Sequence, residues 1–217
     1  MIAHANAASF SPAGRALAAT TLVVSLASLV VQYAVMVSAL APEAGIVPAT
    51  VGFFSYFTIL SNIAVVAATG AALRGRAGFW ARPAVRGAVA LYIGVTGLVY
   101  MVALRGLVPA DNLPWVWADR GLHYAAPALY LAWWLWAAPH GRLDARAPLW
   151  WTLAPLLYLG WTLLRSTWTR TYPYPFLDAV ALGWGRAGIN IVLVAGAFLL
   201  LGALLWWIDR ALGRRLR

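Results

Sequence analysis

Residues 16–40 read ALAATTLVVSLASLVVQYAVMVSAL, a run of 25 residues without a single charge. A helix needs about 20 mostly apolar residues to cross the hydrocarbon core of a bilayer. The run therefore predicts a transmembrane helix. Ala39, Leu40 and Ala41 have the form of a signal-peptidase site. The apolar run nevertheless exceeds the core of about 7–15 residues found in signal peptides, so we interpret it as a retained helix.

The composition of the whole chain supports a membrane protein. Of its 217 residues, 63% are hydrophobic and only 10% are charged, whereas soluble globular proteins carry about 25% charged residues. This excludes an ordinary soluble protein and also a disordered chain, which has low hydrophobicity. The sequence has no cysteine, which excludes disulfides, thiolate zinc sites and iron–sulfur clusters. The net charge of +10 lies between apolar runs, which is typical of basic flanks beside membrane spans and not of a nucleic-acid partner.

Five more apolar stretches follow the first, and we expect all six to be helices because open sheet edges are not tolerated in hydrocarbon. The sequence predicts one all-α domain over residues 1–217, a polytopic membrane bundle of six transmembrane helices. The predicted spans are 16–40, 53–73, 87–104, 119–138, 149–164 and 190–208. The fourth reaches full length only if Asp119 and Arg120 lie at the lipid headgroups.

The distribution of arginine predicts the orientation of these spans. With the N-terminus inside, the inner segments contain eleven of the sixteen arginines and the outer segments contain five. Cytoplasmic loops are enriched in basic residues. We therefore expect both termini to be cytoplasmic in a multi-pass protein of the plasma membrane.

Polar residues within the spans are the candidates for function. Ser55, Thr58 and Asn62 have the i, i+3, i+7 spacing of one helix face. Such residues often hydrogen-bond across packed helices, which is one interpretation. The other is that Thr58 or Asn62 belongs to a site.

The fourth span contains Asp119 and His123, four residues apart and so on one helix face. His123 is either an interfacial side chain or a base oriented by Asp119, and Asp119 could instead cap the start of the helix. Pro127 cannot donate to the His123 carbonyl, which predicts a distorted backbone there. His4 and His140 lie in polar segments, where we expect them to be solvated.

Thr58 and His123 lie at similar predicted depths, about 6–8 Å inside the outer surface. A hydroxyl, an imidazole and a carboxylate in one layer are the parts of an activated nucleophile. Other candidates in this layer are Tyr100, Arg105, Arg165 and Tyr172. The two arginines either extend to lipid phosphates or bind a substrate carboxylate.

The longest predicted loop, about residues 165–188, contains the apolar sequence Tyr172-Pro173-Tyr174-Pro175-Phe176. Proline excludes a regular helix and limits the entropy lost on ordering. We expect this loop to fold over the outer mouth of the bundle.

Four motifs together resemble a family: FFSYFTILSN (53–62), YIGVTGLVY (92–100), HYAAP (123–127) and YPYPFLD (172–178). The chain resembles, over residues 15–205, the bacterial six-span proteins related to the androgen-induced and androgen-dependent TFPI-regulating membrane proteins of animals. The animal members are threonine hydrolases of fatty acid esters of hydroxy fatty acids. The resemblance implies that their nucleophile and essential histidine fall on Thr58 and His123. Asp119 is added from its spacing alone.

The resulting hypothesis is a lipid-ester hydrolase with Thr58 as nucleophile and His123 as base, acting on a lipid-like substrate among membrane lipids. Asn62, Tyr172 or a helix-end amide would bind the oxyanion, and no metal or cofactor is implied. The alternatives are a non-enzymatic protein that binds or transports a lipid or small amphiphile, and a scaffold subunit whose polar face only packs.

Overall fold

The computed structural model describes residues 10–75, 77–107 and 111–215, and every regular element in these ranges is helical. The predicted all-α class is therefore confirmed. The helices are α1 (Pro12–Ala44), α2 (Ile46–Phe54), α3 (Phe57–Leu73), α4 (Pro83–Val99), α5 (Leu113–Arg120), α6 (Ala126–Ala137), α7 (Ala147–Trp151), α8 (Leu153–Thr169), α9 (Ala179–Leu182) and α10 (Trp184–Arg215). A π-helical turn, Tyr100–Leu104, extends α4, and a second, Gly121–Ala125, joins α5 to α6.

Within the described residues, three helices are long and apolar enough to cross a membrane: Pro12–Ala44, Pro83–Leu104 and Trp184–Arg214. A fourth span is present if α2 and α3 are counted as one bent pair. The remaining predicted spans correspond to shorter pieces. Residues 119–138 cross the second π-helical turn, and residues 149–164 fall on α7 and the 17-residue α8.

The predicted span 53–73 is not one helix. The chain bends by 73° between α2 and α3, and Ser55 and Tyr56 form the break. Ser55 therefore does not share a helix face with Thr58 and Asn62, and that part of the prediction is wrong. Its hydroxyl donates to the Val51 carbonyl (2.6 Å) instead, at the end of α2.

The alternative in which Asp119 caps the start of its helix is also wrong. Its helix begins at Leu113, where the Asn112 side chain accepts a hydrogen bond from the Trp115 amide (3.1 Å). Asn112 thus satisfies one of the amides that have no partner inside the helix. Asp119 lies near the end of α5 and is buried, so its carboxylate is available for a contact with another element.

The core is formed by α1, α3, α4, α6 and α10, which pack together around large buried side chains. Trp133, Tyr130, Leu91 and Ile93 are among those fully buried. By contrast, α8 lies at the side of this bundle and exposes a row of leucines and tryptophans. Contiguous exposed apolar faces of this kind are typical of surfaces that contact lipid or a partner.

Candidate active site

Thr58 is the second residue of α3, immediately after the bend, and its side chain is buried. The first amides of a helix have no carbonyl partner within the helix. The Thr58 amide donates instead to the Tyr174 hydroxyl (3.1 Å). The bend therefore places a hydroxyl and its own amide together at the positively polarised end of a helix.

The structure brings Thr58 and His123 together. Thr58 Oγ1 lies 3.3 Å from His123 Nε2, although the two residues are 65 positions apart in the sequence. On the other side of the ring, Nδ1 lies 3.0 Å from Asp119 Oδ1 and 2.9 Å from the Asp119 carbonyl oxygen. Both oxygens accept hydrogen bonds only, so we assign the proton of the neutral ring to Nδ1. The lone pair of Nε2 then faces the threonine hydroxyl.

Tyr100 completes the surroundings of the imidazole. Its hydroxyl donates to Asp119 Oδ2, and its ring stacks on His123 with the centroids 4.0 Å apart and the planes inclined by 17°. The Asp119 carboxylate therefore has a partner on each oxygen. Both the ring plane and the carboxylate are fixed by these contacts.

Two π-helical turns lie at this site. The first begins at Tyr100, and the second contains His123 and closes with a hydrogen bond from the Ala126 amide to the Gly121 carbonyl. Pro127 cannot donate to His123, and the predicted distortion takes the form of this wider turn. A Cβ on Gly97 of α4 would lie 3.3 Å from the His123 carbonyl oxygen, so glycine permits the close approach of α4.

Asn62 connects the two halves of the site. Its side-chain nitrogen donates to the Thr58 carbonyl (2.9 Å) and to the Leu122 carbonyl (3.3 Å). One amide group therefore joins the first turn of α3 to the turn that contains His123. Asn62 acts here through backbone groups, as a positioning residue for the Thr58–His123 contact.

The tyrosine at Thr58 is Tyr174, not the predicted Tyr172. The Tyr174 hydroxyl lies 3.2 Å from Thr58 Oγ1, and its ring is buried and stacked on Phe176. Burial raises the pKa of the Tyr174 hydroxyl, which therefore keeps its proton at neutral pH. The expected folding of the loop over this end of the bundle is confirmed. The alternating Tyr-Pro sequence contains no signal that distinguishes the two tyrosines.

The remaining predicted residues lie away from the Thr58–His123 contact. Arg105 is exposed after the first π-helical turn. Arg165 is half-buried on α8, and its Nη1 lies 3.5 Å from Thr171 Oγ1. The Ser55 carbonyl accepts a hydrogen bond from Tyr158 (2.9 Å), so Ser55 contributes to the bend rather than to the site.

A cavity of about 260 Å³ adjoins Thr58. Its walls come from α3, α4, α8, α10 and the loop that carries Tyr174, and almost all of the lining side chains are apolar. The polar side chains that reach it are Thr58, Thr96, Thr152, Tyr158 and Tyr174. The volume is close to the lower end of ligand sites, which are about 300–1,000 Å³.

The expectations for the other histidines have two outcomes. His4 lies outside the described residues. His140 was expected to be solvated, which is wrong: its side chain is only 4% exposed and Nδ1 lies 3.3 Å from Asp209 Oδ1. Within the described ranges, no three histidine or acidic side chains are grouped so that they could hold a metal ion.

The chain matches no protein-family model, no curated protein and no solved structure.

Proposed function

We propose that the protein is a membrane-embedded hydrolase of lipid esters, with Thr58 as nucleophile and His123 as general base. The observation that carries the proposal is the chain of contacts from Thr58 Oγ1 to His123 Nε2 and from His123 Nδ1 to Asp119. A threonine hydroxyl is a weak nucleophile until a base removes its proton. The assigned tautomer directs the basic nitrogen to that hydroxyl, as catalysis requires.

The reaction proceeds through an acyl-enzyme. Thr58 Oγ1 bonds to the ester carbonyl carbon while His123 Nε2 takes the hydroxyl proton. His123 returns the proton to the leaving alkoxide, and an alcohol departs. Water then attacks the acyl-threonine, His123 takes a proton from that water, and the proton passes to Thr58 as the carboxylic acid leaves. Asp119 stabilises the imidazolium that forms in each half-reaction.

Two donors close to Thr58 Oγ1 support the proposed oxyanion chemistry. The Tyr174 hydroxyl lies 3.2 Å from Thr58 Oγ1. The Thr58 amide, at a helix N-terminus, donates to the Tyr174 oxygen here and would exchange that bond for one to the oxyanion. The tyrosine proton is available to a carbonyl oxygen because the Thr58 proton goes to His123. We therefore assign oxyanion binding to these two groups, in place of Asn62 or Tyr172.

The apolar cavity at Thr58 supports a lipid substrate. The resemblance to the threonine hydrolases of fatty acid esters supports the same class of reaction. We also propose that all six predicted stretches lie across the membrane with both termini cytoplasmic. Reporter fusions after Leu73 and after Arg217 should then both report the cytoplasm, and a periplasmic signal from either would overturn that topology.

The direct test is the reaction of purified protein with a fluorophosphonate probe and with simple and branched fatty acid esters. Wild type should be labelled and should release fatty acid, whereas Thr58→Ala should do neither. Thr69→Ala is the matched control, because the Thr69 hydroxyl donates to carbonyls of its own helix, those of Val65 (2.7 Å) and Val66 (3.3 Å). Lipid binding with no labelling and no release from any ester would favour the non-enzymatic binding protein.

A further inference from the structure

We infer that the cavity beside Thr58 is a binding site for one acyl chain, which enters sideways from the bilayer between α8 and α10. The inference rests on the proposed function for the identity of the ester, but the cavity and its opening are independent of any chemistry at Thr58.

The cavity extends from Thr58 to the gap between α8 and α10. Its inner wall is formed by aromatic rings in contact with one another: Phe57 lies 5.2 Å from Tyr158 and 5.7 Å from Phe198 between ring centroids. Packed aromatic rings have few alternative rotamers and form a firm wall. The site therefore accepts a narrow hydrocarbon chain and excludes a bulky ring system.

The opening is marked by residues that line the cavity and are also exposed. Leu156 of α8 is 58% exposed, and Leu199 of α10 is 46% exposed, yet both line the cavity. Ala195 is a third residue of this kind. These side chains can line a cavity and face outward only where the cavity reaches the surface. We call Leu156, Ala195 and Leu199 the mouth.

The surroundings of the mouth indicate where a ligand comes from. Val192 of α10 and Leu157 of α8 flank it with exposed fractions of 69% and 66%. These apolar side chains are favourable in lipid and costly in water. The mouth thus opens in an apolar belt, where an acyl chain can enter without crossing water.

The volume sets how much of the chain the cavity holds. At about 260 Å³ the cavity lies just below the usual range of ligand sites, about 300–1,000 Å³, so it holds only part of a long acyl chain. The carbons nearest the ester lie beside Thr58, and the rest of a longer chain leaves through the mouth into the bilayer. Chain length alone therefore does not exclude a substrate, whereas blocking the mouth does.

The test uses Thr58→Ala protein in nanodiscs, so that no result depends on cleavage. Two long-chain methyl esters are added, one with a photoreactive diazirine near the ester group and one with it in the middle of the chain. Mass spectrometry should locate the first label on inner lining residues such as Leu159 or Phe198, and the second on the mouth. Labels from both probes confined to Leu193 and Leu200, on the outward face of α10, would overturn the inference.

A matched pair of variants completes the test. Ala195→Trp fills the mouth and should reduce labelling of the inner residues at least about tenfold, because an overfilled site loses affinity steeply. Leu193→Trp adds an indole on the other side of the same helix and should leave labelling unchanged. Equal labelling in both variants would overturn the inference. Cavity labelling in a protein whose wild type cleaves no ester would support the chain site and reject the hydrolase.

Discussion

Two histidine–aspartate pairs lie at the two ends of α6, and they differ in what the second ring nitrogen meets. His123 Nδ1 lies 3.0 Å from Asp119 Oδ1, and His140 Nδ1 lies 3.3 Å from Asp209 Oδ1. Nε2 of His123 faces the Thr58 hydroxyl, whereas Nε2 of His140 lies 3.1 Å from the Leu135 carbonyl oxygen.

The partner at Nε2 decides what each imidazole can do. A carboxylate and a carbonyl accept hydrogen bonds only. Neither partner of His140 therefore has a proton that the imidazole could remove. A threonine hydroxyl can donate, which leaves His123 with a free lone pair directed at Thr58. The third partner of a buried histidine–aspartate pair thus decides whether the imidazole is placed to act as a base or only holds two segments together.

The surroundings of the two pairs agree with this difference. His123 lies on a π-helical turn beside the Tyr174 loop and near the cavity. His140 lies in the connection after α6, where a Cβ on Gly141 would be only 2.9 Å from the Gly213 Cα of α10. Asp209 also accepts a hydrogen bond from the Leu143 amide (3.1 Å). The second pair therefore fastens a connection to the last helix.

The largest expected effect is the loss of ester cleavage at the first pair. Thr58→Ala and His123→Ala should each lower kcat/KM at least about a thousandfold, because neither group acts without the other. For the same reason the double variant should be no slower than either single variant. Release of fatty acid by purified, folded protein measures this effect.

The assignment of His123 as the base would be wrong if His140→Ala lost activity as completely as His123→Ala while remaining folded. The assignment of Thr58 as the nucleophile would be wrong if Thr58→Ala retained full activity. In either case the contact at Nε2 would not identify the base.

The next effect concerns the loop over the site. Tyr174→Phe removes one oxyanion donor and keeps the ring, so kcat should fall about a hundredfold with little change in KM. Tyr172→Phe is the matched control, since Tyr172 is the same residue type two positions away and the hydroxyl beside Thr58 belongs to Tyr174. Equal effects of the two changes would reject the assignment of Tyr174.

A smaller effect is expected at the carboxylate. Asp119→Asn removes the charge that stabilises the imidazolium, but the Asp119 main-chain carbonyl still accepts from Nδ1 and preserves the tautomer. We therefore expect kcat to fall about tenfold, less than in triads where the side chain alone fixes the tautomer. The exposed Asp111, changed to Asn, is the control. A loss as large as that of His123→Ala would show that the carbonyl does not hold the ring.

The sequence predicted the helical class and the Thr58–His123 pairing more fully than it predicted the connections. The charge-free run of α1 needs only its own composition to specify a helix. The break at Ser55 lies inside a continuous apolar run, and Tyr158, which is distant in sequence, binds the carbonyl at the break. Tertiary contacts of this kind have no local signature.

Two other differences between the sequence prediction and the structure concern the start of α5 and the burial of His140. Asn112 followed by Pro114 marks the start of α5, yet the apolar pattern favoured a start at Asp119. The polar residues around His140 indicated a solvated side chain. Its partner Asp209 lies 69 positions away, so the local sequence gives no sign of the contact that buries it. Pairing of distant side chains decides burial here, and a single sequence does not contain it.

The smallest effect on activity is expected at the second pair, where stability should change instead. His140→Ala leaves the Asp209 carboxylate buried without its partner, and breaking a buried pair in this way costs about 3–5 kcal/mol. Asp209→Asn should destabilise the fold less. The asparagine side chain can still accept a hydrogen bond from the Leu143 backbone amide and can donate one to His140 Nδ1. His140 Nε2 can then still donate to the Leu135 carbonyl. Thermal unfolding in detergent should rank the two variants in this order, with kcat/KM per folded molecule within about twofold of wild type. If Asp209→Asn proved less stable than His140→Ala, the charge of Asp209, and not its hydrogen bonds, would hold the connection to α10. A fall in kcat/KM with no loss of stability would mean that the His140–Asp209 pair affects catalysis at Thr58. The assignment of a purely structural role to this pair would then be wrong.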